Sequence, residues 1–325
     1  MKNFDYFEPE SVRNVLGLLA EYGEKATILA GGTDLIPKMK KGLISPPSLI
    51  NIARISGLRK IEESQEGLKV GSMVPLGLLE RNPLLSSRYP ALQKAISHVG
   101  TPSLRNTATI GGNICLDTKC IYRDQVQTWR RALEPCFKLG GQRCYVVRGG
   151  KACHASLAAD TVPALIALGT EARIFSPLGE RSIPVEALYT GDGLRPLALS
   201  HEELLTEIRL PPLPPDARST YLRFSLRKAI DFPMVSAAFH FEERDGVCLN
   251  VRAVLGAVAS QPIRLPQLEE TLKGKRITQD LLRDVSEEAP KETLRRSKSG
   301  RIDAFIRKMI AHLVYQGLTE VWERK

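Results

Sequence analysis

The sequence predicts an α+β fold in which short strands and helices alternate over most of the chain and a smaller α+β unit follows. At 325 residues there is room for about two domains, or three small ones, at ~150 residues each. Pro211-Pro-Leu-Pro-Pro215 is the clearest linker, because its prolines fix φ and remove backbone donors. Before it, helical and strand patterns alternate; beyond it, strand patterns come first and helices last. Apolar residues at 43% and charged residues at 25% lie near the globular average and exclude a disordered chain. No apolar run reaches the ~18 residues of a membrane span. Asp5 and Glu8 stand where a secretory signal needs basic residues and then an apolar run, so the expectation is a cytoplasmic protein.

Ser11 can cap a first helix in which Val12, Val15, Leu16 and Leu19 recur at helical spacing as far as Gly23. Ala26 to Ala30 is β-competent and runs into the Gly31-Gly-Thr-Asp34 turn. Pro46-Pro47 precedes a second apolar strand, Leu49 to Ile52, and closes a first subdomain over 1–58. A hairpin follows between Gly57 and Val74 with its turn at Gln65-Glu66-Gly67, then a helical stretch from Leu76 to about Ser97. Thr101 to Asn113 is polar and ends in a second Gly-Gly pair; a cysteine-bearing insertion at about 116–157 comes next. The α/β pattern resumes with Asp160-Thr-Val-Pro-Ala-Leu165 and a strand from Ala172 to Phe175, completing a second subdomain over 59–215. In the last unit, 216–325, strands are expected near Tyr221 to Ser225, Ser236 to Glu242 and Cys248 to Ala257. Its final helix carries Ile306, Met309, Ile310, Leu313 and Gly317 on one face.

Lys and Arg number 46 against 36 Asp and Glu, a net charge of +10. Part of the excess sits in two local clusters, Lys38-Met-Lys-Lys41 and Arg295-Arg-Ser-Lys298, without the aromatic interleaving that single-strand binding needs. The charge therefore reads as solvated surface or as docking onto an acidic partner, not as a nucleic-acid site. The cysteines are more informative. Cys115, Cys120, Cys136, Cys144 and Cys153 fall together and leave only Cys248 elsewhere. In a reducing compartment such clustering points to a metal or redox site before disulfides. Four thiolates suit a cubane iron–sulfur cluster or a structural zinc. Zinc ligands usually come as a tight knuckle, whereas ligands dispersed along a loop suit the larger cluster. Arg123, Arg130, Arg131, Lys138, Arg143, Arg148 and Lys151 surround the thiols and would stabilise thiolates. His154 is a possible substitute ligand; Cys248 reads as an inert core residue.

Each glycine pair allows close backbone approach to a bound group, and Thr33 and Thr109 add hydroxyls. Neither pair fits the G-x-G-x-x-G fingerprint or the Walker pattern. Two such loops with adjacent Thr or Asn point to a nucleotide with a pyrophosphate. Asp34 and Asp160 can accept from sugar hydroxyls or serve as helix caps, and Arg227-Lys228 opens the last unit. No G-x-S-x-G elbow or H-E-x-x-H helix is present.

In their order, Leu29-Ala-Gly-Gly-Thr-Asp34, Arg105-Asn-Thr-Ala-Thr-Ile-Gly-Gly-Asn113 and Asp160-Thr-Val-Pro-Ala-Leu165 resemble the FAD-binding medium subunit of the xanthine oxidase family of molybdenum hydroxylases. Together with the linker and Arg301-Ile-Asp-Ala-Phe-Ile-Arg307, the resemblance covers nearly the whole chain. It implies a two-subdomain FAD-binding fold of the molybdopterin dehydrogenase (PCMH) type, not a Rossmann sheet, followed by a C-terminal flavoprotein domain. It places FAD contacts on Leu29, Ala30, Gly31, Gly32, Thr33 and Asp34, and on Thr109, Gly111, Gly112 and Asn113. It puts Asp160 at the ribityl chain and Lys228 near the flavin.

The cysteine insertion is similar to that of the 4-hydroxybenzoyl-CoA reductase β subunits within this family, where it holds an extra [4Fe–4S] cluster. That resemblance assigns Cys120, Cys136, Cys144 and Cys153 as ligands and leaves Cys115 free. It implies an electron-transfer subunit without catalytic residues of its own. Its partners would be a large molybdopterin subunit and a small subunit with two [2Fe–2S] clusters, as a dimer of heterotrimers. Electrons from ferredoxin would pass through the [4Fe–4S] cluster and FAD to molybdenum, for reductive dehydroxylation of 4-hydroxybenzoyl-CoA. Two other expectations are a xanthine, aldehyde or nicotinate-type dehydrogenase with outward electron flow, and a zinc-stabilised scaffold without flavin.

Overall fold

The structure is a computed structural model and describes residues 2–228, 230–297 and 300–323; Lys298 of the second basic cluster lies outside them. The chain opens with β1 (Asp5–Phe7), α1 (Val12–Tyr22), β2 (Ala26–Leu29), α2 (Leu35–Lys40) and β3 (Ser48–Asn51). The strands form a parallel sheet in the order β1-β3-β2. Ser11 Oγ accepts the Asn14 N–H at 3.2 Å, and Gly23, at φ 54°, ends α1 by donating to the Leu19 carbonyl. Between these caps Val15 and Leu19 bury one face against Ile50, Ile52 and Ile55.

The second part comprises β4 (Ile61–Ser64), β5 (Gly67–Gly71), α3 (Leu76–Glu80), α4 (Pro83–Arg88), α5 (Pro90–Ser97), α6 (Pro102–Arg105) and α7 (Ile110–Ile114). It continues with α8 (Gln127–Arg131), α9 (Thr161–Ala167), β6 (Glu171–Ser176), β7 (Gly179–Pro184) and β8 (Leu204–Leu210). Its antiparallel sheet runs β4-β5-β8-β6-β7. The continuous helical stretch expected from Leu76 to Ser97 is three helices instead. Pro83 and Pro90 each take the first helical turn, where a missing N–H costs nothing, and each stops the helix before it. The polar segment 101–113 holds α6 and α7, capped by Thr101 and Thr109, which accept from Leu104 N–H and Gly112 N–H. The second glycine pair thus lies inside a one-turn helix.

The last part has β9 (Arg218–Phe224), β10 (Val235–Arg244), β11 (Val247–Gly256), β12 (Ile263–Arg264), α10 (Pro266–Leu272), α11 (Gln279–Ser297) and α12 (Ala304–Glu323), with sheet order β12-β11-β10-β9. Strand alternation sends Val235, Ala237, Phe239 and Phe241 into a core with α10, α11 and α12. Ala238 and Val254 face the other way and join the core of the second part, beside the wholly buried α9. One sheet therefore seals two cores. Among the described residues no helix is long and apolar enough to cross a membrane.

Helix α12 lies so close to this sheet that a Cβ at Gly317 would overlap the Phe239 ring. Gly317→Ala is expected to lower stability by about 1–3 kcal/mol through overpacking, read as a fall in the urea midpoint. An unchanged midpoint would show that α12 is free to move off the sheet.

Candidate functional site

Where β2 ends, the chain turns through Ala30–Asp34 into α2, and this turn meets the cap of α7 across a cleft of about 540 Å³. Its lining includes Ala30 to Asp34, Ser72, Thr109, Gly111 to Asn113, Asp160 and Ile230 to Phe232. The four glycines do different jobs. A Cβ at Gly31 would overlap the Thr107 carbonyl oxygen, and one at Gly111 would crowd Ser72 at 2.6 Å, so these two serve contact between chain segments. Gly32 adopts φ 70°, which favours glycine. A Cβ at Gly112 would meet only Thr109 Oγ1 at 3.0 Å and Ala30 at 4.0 Å, leaving its cleft side open. Leu29 is not in the lining; its Cδ1 lies beneath the turn, 3.2 Å from where a Gly32 Cβ would be.

Several predicted ligand groups already have protein partners. Thr109 Oγ1 accepts the Gly112 N–H at 3.1 Å, though its hydroxyl proton is left to donate. Asn113 Oδ1 accepts from the Thr161 hydroxyl at 2.7 Å and ties α7 to α9. Asp160 is 5% exposed, and its Oδ1 accepts from the Tyr221 hydroxyl at 2.7 Å and from Arg223 Nη1 at 3.1 Å, joining α9 to β9. Burial pushes its carboxyl up to about 6 although Arg223 and Tyr221 pull the other way. Lys228 is exposed and absent from the lining; Ile230, Asp231 and Phe232 of the same loop are there instead. Ser72 was not legible as a site residue. Its Oγ is buried without a hydrogen-bond partner at the cleft wall.

Below the first turn lies a lattice of charges. Asp34 pairs with Lys38 at 2.8 Å and with Lys119, and Lys119 sits 5.3 Å over the Phe232 ring. Asp117 takes Lys138 at 2.5 Å, Arg123 at 3.0 Å and Lys38 at 3.3 Å. Burial raises both carboxyls, but the cations outweigh it, holding Asp34 below its ordinary value and Asp117 at about 2.

The insertion is pinned at its base by reciprocal backbone bonds between Lys119 and Ser156 at 2.7 and 3.0 Å. Above them Cys120, Cys136, Cys144 and Cys153 line one small pocket with Arg123, Lys138 and Arg143. Cys115, separated from Cys120 by four residues, lines the large cleft instead, and burial pushes its thiol up to about 12. Burial also raises the Cys120 and Cys153 thiols. Among the described residues no three His, Cys, Asp or Glu side chains gather closely enough to hold a single metal ion; the four thiols are spread around the pocket. Arg123 is 6% exposed, and its Nε has no hydrogen-bond partner. Of the expected cations only Arg123, Lys138 and Arg143 reach the lining. Arg130 instead donates to the Lys41 and Gly42 carbonyls at 3.2 Å and docks the insertion on the first part. His154 is outside the lining. Arg301 was not expected here: it is largely buried and feels the charges of Cys120 and Cys144.

Residues 2–213 match the FAD binding domain in molybdopterin dehydrogenase, and residues 220–321 the CO dehydrogenase flavoprotein C-terminal domain. The chain is 25% identical over 319 residues to the xanthine dehydrogenase FAD-binding subunit of Escherichia coli O157:H7, covering 95% of each. To the carbon monoxide dehydrogenase medium chain of Hydrogenophaga pseudoflava it is 26% identical over 326 residues, covering 99% of this chain and 98% of that one. To the nicotinate dehydrogenase FAD-subunit of Eubacterium barkeri it is 25% identical over 285 residues, covering 87% and 83%. In fold it is similar to the carbon monoxide dehydrogenase of Hydrogenophaga pseudoflava that lacks the Mo-pyranopterin moiety, with TM-score 0.80, 24% identity and coverage of 99% and 98%.

The two shifted carboxyls act on stability with opposite signs. Asp160, raised to about 6, contributes stability that is full below about pH 4 and is lost as pH rises through about 6. Asp117, lowered to about 2, contributes stability present above about pH 4 and lost as pH falls toward 2. Asp160→Asn is expected to abolish the decline between about pH 4 and 6 and leave the acid limb intact, as read from urea midpoints across pH. Parallel profiles for wild type and variant would refute the raised carboxyl.

Proposed function

The chain belongs to the family of FAD-binding domains of molybdopterin dehydrogenases, and from that premise we propose that it is the FAD-bearing medium subunit of a molybdenum hydroxylase-type oxidoreductase complex, with an iron–sulfur cluster in its own insertion. The partners are a large subunit with the molybdopterin cofactor and a small [2Fe–2S] subunit, so substrate turnover lies on another chain. FAD, when bound, supplies electron storage and exchange. The cleft suits it: its volume is of the size that small-molecule sites have, Gly112 leaves the α7 backbone approachable, and the orphaned Ser72 Oγ gains a partner. Asp160 lines the cleft with its Oδ1 held by Tyr221 and Arg223.

The cluster reading rests on one observation. Four cysteines far apart in sequence meet at one pocket, and the fifth is turned to the cleft. The donor set fits a [4Fe–4S] cluster, whose thiolates bind separate irons, and the unpartnered Arg123 N–H meets an acceptor when sulfur anions fill the pocket. The residues present would hold it as Cys120, Cys136, Cys144 and Cys153, with Lys138 and Arg143 offsetting negative charge.

The finer reading is reductive, electrons entering at the insertion and serving a 4-hydroxybenzoyl-CoA reductase. The exposed side of the insertion supports an entry point: Ile121 at 73%, Val126 at 55% and Trp129 at 41% are exposed apolar side chains, the Tyr122 ring lies 6.3 Å from that of Trp129 in a tilted arrangement, and Arg131 is exposed two residues on. An acidic one-electron carrier such as a ferredoxin complements it. The second reading, outward flow as in a xanthine- or nicotinate-type dehydrogenase, is favoured by the relatives' similarity over nearly the whole chain.

The test is iron, sulfide, zinc and FAD quantitation on anaerobically purified protein, with an EPR spectrum after dithionite reduction. Iron and sulfide in equal amounts with FAD are expected, and Cys136→Ser is expected to lose iron while keeping FAD; FAD without iron, or zinc in its place, would overturn the cluster. For carrier docking, Arg131→Glu combined with Trp129→Ser is expected to slow reduction by ferredoxin about tenfold or more at low salt. An unchanged rate refutes docking at this patch.

A further inference from the structure

Resting on the cluster reading, we propose that Arg123, with Asp117 and Lys138 behind it, sets the redox potential of the cysteine site and couples that site electrostatically to the flavin cleft. Arg123 reaches three ways. Its side chain lines the cysteine pocket, and its Nε–H is buried without a partner. Its Nη1 donates to Asp117 Oδ2 at 3.0 Å and to Asp124 Oδ1 at 3.5 Å. Asp124 Oδ2 in turn accepts the Cys120 backbone N–H at 3.0 Å, so the same guanidinium braces the start of the cysteine loop.

A buried donor without an acceptor costs about 1–3 kcal/mol, and a sulfur anion in the pocket relieves it. A charged N–H aimed at sulfur favours the more negative, reduced state and so raises the potential. Asp117 belongs to both sites. It lines the cleft together with Lys38, while its other cations, Arg123 and Lys138, line the cysteine pocket. The carboxylate therefore sits between two redox sites with cations on both sides, itself partly exposed but held by three nearly buried cations, and it is close enough to both for its charge to be felt. Removing its charge shifts the potential felt at both, in one direction.

The experiment is a redox titration of the purified holoprotein, following the cluster by EPR and the flavin by absorbance, with iron and FAD content measured on each sample. Arg123→Met is expected to make cluster reduction about tenfold less favourable, about 59 mV for one electron, with FAD content unchanged. Arg123→Lys, which keeps the charge but loses the Nε–H, is expected to move it in the same direction by less, and it decides the matter if Arg123→Met sheds iron. Asp117→Asn is expected to raise both potentials. A cluster potential unmoved in the arginine variants, or a flavin potential unmoved in Asp117→Asn, overturns the inference. Wild-type protein with FAD and no iron overturns the cluster reading itself.

Discussion

The closeness of two backbone segments governs this molecule. At Gly31 the turn after β2 lies against the Thr107 carbonyl with no space for a Cβ, and at Gly111 the start of α7 lies close against Ser72. The Gly31 contact sets the turn of the first part against the second, the Gly111 contact holds α7 on the segment after β5 within the second, and the large cleft lies between the two loops. Any side chain at Gly31 must push the segments apart, and the cleft walls with them. Half of the glycine requirement thus comes from the protein's own packing.

The third part completes the arrangement. Its sheet buries one face against α10, α11 and α12 and the other beside α9, and through Tyr221 and Arg223 it binds the Asp160 carboxylate. A charged group nearly out of water is tolerated only because hydrogen-bond donors and a guanidinium meet it. The same residue stands at the cleft, so the geometry of the cofactor site depends on how the last part is seated.

The insertion is attached by charge more than by apolar surface. Asp34 and Asp117 collect Lys38, Lys119, Arg123 and Lys138, and Arg130 grips the carbonyls after α2. Part of the sequence's excess positive charge is consumed internally here, which removes it from any docking argument. Arg131, Arg143, Arg148 and Lys151 remain outward, a smaller positive surface than the full basic loop implies.

Helix α1 with its Ser11 cap, the hairpin around Gln65 to Gly67, the first glycine turn and the strands beyond the linker were legible because local signals state them: hydroxyl caps, period-two alternation and residues suited to turns. The cysteine cluster was legible as a group for the same reason, since spacing along the chain needs no fold to be seen. That Asp160 is spoken for by β9, that Lys228 stays outside the cleft, and that Ser72 and Arg123 carry unpartnered buried atoms at the two sites were decided only in three dimensions. Each depends on groups far apart in sequence being desolvated together, and the strength of a hydrogen bond or ion pair is set by that shared burial and not by the residue's own type.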